Sequence, residues 1–162
     1  MTTAERALDP EARLQHALDL SYRYLGHRDR TVVEMRRHLE AKRVEPDTID
    51  AAVAELGEQG YLDDARFARR YVEDRRTLDD GGYERIERRL QAAGVARELI
   101  AAALTAGDQH DELDAAIAVL SRRFPAPPET DRDRDRALGF LVRKGYELDL
   151  AYDAIRAYGA RL

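Results

Sequence analysis

Cysteine is absent from this 162-residue chain, and serine and lysine are scarce. Without cysteine there is no disulfide, no thiolate nucleophile and no cysteine-based zinc site. The two serines, Ser21 and Ser121, fall in stretches of helical pattern, and neither sits in a strand–turn–helix elbow. The two lysines, Lys42 and Lys144, lie outside any glycine-rich phosphate loop, and Gly81-Gly82 is too short to make one. The longest purely apolar run, Ala115 to Leu120, is far shorter than a membrane span. Residues Met1 to Pro10 carry no signal-peptide pattern. Four histidines, His16, His27, His38 and His110, form no His-x-x-x-His pair and read as surface or packing residues. The acid pairs Asp63-Asp64 and Asp79-Asp80 read as caps and turns rather than metal ligands. These absences predict a cytoplasmic protein with no catalytic residues, cofactor, metal or membrane contact.

What the chain does have is charge. Hydrophobic residues make up 44% and charged residues 36%, with a net charge of -5. A dedicated DNA binder usually carries a basic surplus, since phosphate neutralisation drives its affinity. Of the 27 basic residues, 25 are arginine. Arginine makes forked bonds to carboxylate or phosphate and stacks on flat surfaces, which suits an interface. A GC-rich coding sequence produces the same bias with no function attached.

Helical periodicity runs through the whole chain, and strand alternation is nearly missing. Leu39, Leu90 and Leu141 recur at 51-residue spacing. Val44, Val95 and Tyr146 follow in register, after Arg43, Gly94 and Gly145. Ile49, Ala52, Val53 and Leu56 match Ile100, Ala103, Leu104 and Gly107, then Ala151, Ala154, Ile155 and Tyr158. Each set is spaced i, i+3, i+4, i+7, one face of a helix. Upstream, Met35 and Leu39 match Ile86 and Leu90, with a weaker third copy around Ala137. The period predicts an all-α fold of three stacked three-helix repeats. The expected boundaries are a tail over 1–12 and repeats over 13–62, 63–107 and 108–162.

Boundary residues support that division. Asp9 before Pro10 predicts an N-cap, and Thr31 with Glu34 predicts a capping box. Pro46 suits a first helical turn, and Asp63 can cap the first helix of the second repeat. Gly94 and Gly145 stand where a second helix ends and predict positive φ, so Arg43 predicts a different or strained turn. Phe124 to Glu129 is a proline-rich linker inside the third repeat.

Arginine pairs mark the candidate surface. The expected second repeat holds nine basic and nine acidic residues, whereas its neighbours are net acidic. It carries Arg66, Arg69, Arg70, Arg75, Arg76, Arg85, Arg88 and Arg89. With Arg143 and Lys144, these are the candidate partner-binding residues. Internal pairing is the competing account: Asp63 with Arg66, Arg70 with Asp74, and Glu84 with Arg88 all have helical spacing. Tyr71 beside Arg75 could stack on bases, but Ala68, Tyr71 and Val72 share an apolar face that suits a core tyrosine.

The run Gly60-Tyr61-Leu62-Asp63-Asp64-Ala65-Arg66-Phe67-Ala68 resembles the hallmark of the RecX family, bacterial modulators of the RecA recombinase. The similarity continues through Tyr71, Val72, Arg75, Gly82, Arg85, Ile86, Leu90, Gly94-Val95 and Ile100. Ala17, Arg30, Glu34, Leu39 and Ile49 fit the opening helices, and Phe140 to Tyr146 the C-terminal block. Arg43 departs from the pattern, since many members have glycine there. The resemblance implies three tandem three-helix repeats stacked into an elongated, curved arm. It also implies a monomeric, non-enzymatic regulator that binds RecA, free or as its filament on single-stranded DNA, and damps recombinase, ATPase and SOS co-protease activity. Weak direct DNA contact is a further expectation. The alternative from the residues alone is a helix-turn-helix-like DNA-binding module acting without RecA, with Gly94 or Gly145 in its turn.

Overall fold

A computed structural model describes residues 9–78, 81–106 and 109–161. The side chains of 77, 78 and 109–111 lie outside the description, as do Asp79-Asp80, Gly107 and the side chain of His110. Among the described residues there are nine helices and no strand. They are α1 (Pro10–Leu25), α2 (Val32–Ala41), α3 (Pro46–Glu58), α4 (Asp64–Leu78), α5 (Tyr83–Ala92), α6 (Arg97–Thr105), α7 (Gln109–Arg123), α8 (Asp131–Lys144) and α9 (Leu148–Ala160). The repeats are therefore α1–α3, α4–α6 and α7–α9.

The 51-residue register is a register of burial. Leu39, Leu90 and Leu141 are each 0% exposed. Met35, Ile86 and Ala137 are buried one turn earlier, and Ala52, Ala103 and Ala154 in the third helix of each repeat. Alanine at that place lets helix axes approach closely, and the larger residues around it fill the remaining space.

Two compact units emerge from the packing. One holds the described residues of Met1–Phe67 with Ala92–Ala96, the other those of Ala68–Gln91 with Arg97–Leu162. In the first, Ala17 and Leu18 of α1, Met35 and Leu39 of α2, and Ile49, Ala52 and Leu56 of α3 close a core that includes Leu62. In the second, a larger core joins Ala116, Ile117, Val119 and Leu120 of α7 to Ala137 and Leu141 of α8 and Ala151, Ala154, Ile155 and Tyr158 of α9, with Tyr146 fully buried.

The caps follow the sequence closely. Asp9 accepts from the Ala12 amide at 2.8 Å, and Thr31 and Glu34 form the reciprocal box. Pro46 opens α3, and Asp63 accepts from the Arg66 amide at 3.0 Å. Gly94 and Gly145 have φ of 85° and 96°. Arg43 adopts the same left-handed turn at φ 61°, so the first repeat keeps the geometry and carries a side chain in it. Helix α8 spans 14 residues against 10 for α2 and α5, because it begins three residues earlier in the register, at Asp131, and ends one later, at Lys144. Thr130 caps it alone, accepting from the Asp133 amide at 3.1 Å.

Candidate functional site

The arginines predicted to meet a partner divide into two groups. Arg66, Arg69 and Arg70 sit at i, i+3 and i+4 on α4, and Arg85, Arg88 and Arg89 have the same spacing on α5. Each trio forms a stripe on its helix. Arg69, Arg70, Arg85, Arg88, Arg89 and Arg143 are exposed. Arg66, Arg75, Arg76 and Lys144 are half-buried and engaged internally. The Arg66 guanidinium donates to the Gly60 carbonyl at 2.5 Å rather than pairing with Asp63, whose carboxylate is taken by the Arg66 amide. Glu84 and Arg88 form no ion pair despite their helical spacing. Arg75 lies 5.2 Å from the centre of the Tyr71 ring, Arg76 4.6 Å from Tyr83, and Lys144 5.9 Å from Phe140. Tyr71 is half-buried beside fully buried Ala68, a packing tyrosine with a cation on its ring.

The hallmark residues build a joint between successive repeats. Gly60 turns at φ 80°, Leu62 enters the core, and Tyr61 lies edge-on to Tyr22 at 5.6 Å. Phe67 is half-buried on the first turn of α4, next to Ala68. The Asp64 carboxylate accepts from the Val32 amide, the first of α2, at 3.0 Å. Burial pushes the Asp64 carboxyl above its ordinary value, although that amide bond favours the ionised form. Thr31 Oγ1, which accepts from Glu34, also donates to the Ala93 carbonyl at 2.6 Å. A Cβ on Gly94 would lie 2.5 Å from Val33 Cβ.

The same joint recurs one repeat later. Gly82 and Glu84 donate their amides to the carbonyls of Lys144 and Gly145, at 3.0 and 3.1 Å. A Cβ on Gly82 would overlap the Gly145 carbonyl group, and one on Gly145 would overlap Arg85. The carboxylate of Glu112, 7% exposed, accepts from the Tyr83 amide, the first of α5, at 2.8 Å. Burial raises the Glu112 carboxyl, against the pull of that amide and of Arg76. Arg76 is thus a countercharge inside the joint as well as a candidate contact.

Of a third cluster, sequence reasoning named only Arg143. Arg123 and Phe124 at the end of α7, and Arg132, Asp135, Arg136, Phe140 and Arg143 along α8, line an open groove of about 510 Å³. Phe124 and Phe140 meet edge to face at 5.8 Å. The i, i+4, i+11 spacing of Arg132, Arg136 and Arg143 was readable, but the alternating aspartates of Asp131 to Asp135 make the segment look neutral.

Among the described residues, no three His, Asp or Glu side chains converge as metal ligands. His38 stacks on Tyr24 at 3.9 Å, with Arg30 3.8 Å from the same ring centre. No helix of the described residues is long and apolar enough to cross a membrane.

Three family models match in order: the first three-helix domain of RecX over residues 17–56, the second over 63–104 and the third over 110–155. The chain belongs to the RecX family. Regulatory protein RecX of Amycolatopsis mediterranei is 32% identical, over 94% of this chain and 91% of its own. That of Trichlorobacter lovleyi is 36% identical, over 79% and 86%. The crystal structure of RecX from Lactobacillus salivarius superposes with a TM-score of 0.82 at 18% identity, covering 93% of this chain and 99% of that one. The RecX fold is thus all-α, three tandem three-helix domains, and a regulatory role goes with the family. The Gly60–Ala68 hallmark straddles the start of the second domain match, and Arg43 falls within the first.

Proposed function

We propose that this RecX-family chain is a non-enzymatic, monomeric regulator that binds RecA, free or as the filament on single-stranded DNA. It damps strand exchange, ATP hydrolysis and the SOS co-protease activity. The observation that carries this is the run of three RecX domain matches between residues 17 and 155, the second of which begins inside the Gly60–Ala68 hallmark. The solvent-facing arginines of α4 and α5, with Arg143, are the contact surface. Guanidinium forks there suit carboxylates on a protein face. A helical polymer repeats its sites along its length, so a modular chain can engage more than one protomer and gain avidity.

The helix-turn-helix alternative has less support. The glycine turns it would use are packed on neighbouring helices, Gly94 on Val33 and Gly145 on Arg85.

Charge reversal tests the surface. In a combined Arg69→Glu, Arg70→Glu, Arg88→Glu and Arg89→Glu variant, inhibition of RecA ATP hydrolysis on single-stranded DNA should require roughly tenfold more protein or greater, since like-charge juxtaposition costs several kcal/mol. A normally folded variant that inhibits as well as the parent chain would remove this surface from the account.

A further inference from the structure

We infer that the apolar recess between α8 and α9 is a docking site for an amphipathic helix on the surface of RecA, one with apolar anchors along one face and carboxylates beside them. The choice of RecA rests on the reading proposed above, whereas the recess belongs to the third repeat alone. Leu138 of α8 and Tyr152, Ile155 and Gly159 of α9 line a volume of about 330 Å³. Tyr152 is 50% exposed, and Leu148, one turn before it on α9, is 52% exposed, so the apolar stripe of α9 continues in solvent beyond the recess. An added Cβ at Gly159 meets nothing within 4 Å, so the recess is open at that residue. From Tyr152 to Gly159 the helix advances roughly 10 Å, enough for two turns of a partner helix. An apolar surface left open beside a charged one marks an interaction site.

The walls decide the form of the occupant. Both are helices, whose main-chain N–H and C=O groups are paired internally except at the ends. An extended segment would bring unpaired main-chain groups to walls that offer them no partner. A helix satisfies its own backbone and presents only side chains, at i, i+3, i+4 and i+7. The charges decide its flank. Arg134 and Arg156 also line the recess, and each gives one guanidinium nitrogen to an aspartate of its own helix, Asp131 and Asp153. A guanidinium carries five N–H donors, so both keep donors for a carboxylate. Helix α8 as a whole holds five basic residues against three acidic ones, which favours an acidic flank over a basic one. Position points to the partner. Asp135 lines both this recess and the groove of Arg132, Arg136 and Arg143, so the two are neighbouring faces of α8. A RecA face seated on Arg143 continues across α8 into the recess. The contact there is apolar, so it adds affinity that salt does not screen and that the arginines do not supply.

The test measures binding of the full chain to RecA filaments on single-stranded DNA by biolayer interferometry, from low salt to about 0.5 M, where exposed charge pairs are largely screened. Two variants change the recess in opposite ways. Tyr152→Ala removes an exposed anchor, and Gly159→Gln places a side chain where a Cβ meets no neighbour, so it blocks the recess without straining the fold. Each should weaken binding roughly tenfold at high salt, as loss of an interface anchor does, and leave the salt dependence unchanged. The Arg69, Arg70, Arg88 and Arg89 reversal should do the converse, weakening binding most at low salt and flattening the salt dependence. Urea midpoints of all chains accompany the binding data. If Tyr152→Ala lowers the midpoint, Gly159→Gln decides alone. A parent chain that binds no filament at any salt would remove the RecA reading and the docking site with it. A parent chain that binds, with Gly159→Gln binding equally well at high salt, would overturn the docking site and leave the RecA reading standing. A parent chain that sediments as a dimer, with Tyr152→Ala monomeric and filament binding intact, would assign the recess to a second copy of the chain instead.

Discussion

Arg43, Gly94 and Gly145 hold one place in three repeats and share a left-handed backbone, yet only two are glycine. The two glycines meet two demands, positive φ and a neighbouring helix at van der Waals distance. Arg43 meets only the first: its side chain is exposed, and the turn holds together through the Val44 amide donating to the Leu39 carbonyl at 3.0 Å. Arginine pays for that conformation through the clash of Cβ with the carbonyl, so Arg43→Gly should raise stability by about 1 kcal/mol, less the extra freedom glycine gains in the unfolded chain. Urea unfolding checks it, and an unchanged or lowered midpoint would mean that Arg43 makes a compensating contact. The positive φ of the glycines was legible from their position after a helix. The close approach was not: the Thr31–Ala93 bond that accompanies it spans 62 residues, and a single sequence carries no mark of such a pairing.

Helices α2 and α5 begin at equivalent joints but satisfy their first amides differently. Helix α2 has its own Thr31–Glu34 box and adds Asp64 from the next repeat. Helix α5 starts after Gly82, with no side chain to cap it, and uses Glu112 together with the carbonyls of Lys144 and Gly145. The box was legible because its partners are three residues apart, whereas Glu112 sits 29 residues from the amide it serves. Burial raises the folded pKa of Glu112 above its ordinary value. A raised carboxyl stabilises the fold below the unfolded pKa, and that contribution is lost as pH rises through the folded value. Glu112→Gln keeps an oxygen acceptor for Tyr83 and removes the titration. Its stability relative to the parent chain should therefore rise as pH climbs from the ordinary glutamate range toward neutrality. Urea midpoints for both chains between acid and neutral pH give the comparison. A difference independent of pH would show that the carboxyl titrates alike in folded and unfolded chains.

At the scale of the whole chain, the 51-residue period announced three repeats, while the packing resolves two units. The period was legible because each repeat buries the same positions, Leu39, Leu90 and Leu141 among them. The division was not, because the second repeat lends its Ala92–Ala96 turn to the first unit, and the lending depends on the joints. The candidate surface was likewise legible only in part. Arginine content named α4 and α5, and Arg75 beside Tyr71 was readable as an i, i+4 pair within α4, but the engagement of Arg76 with Tyr83 and of Arg66 with Gly60 depended on neighbours outside the helix. The joints also make a testable energetic division. An added Cβ at Gly94 meets Val33 in the first unit, and one at Gly145 meets Arg85 in the second. Each alanine variant should lose about 2–4 kcal/mol, combining the left-handed backbone with overpacking. Hydrogen exchange should place the two losses apart. Gly94→Ala should lower protection around Met35 and Leu39 of α2, and Gly145→Ala around Leu141 of α8 and Ala154 of α9, because these residues belong to separate cores. Equal losses in both cores from either variant would show instead that the repeats unfold as one cooperative body, with the joints transmitting the whole of the strain.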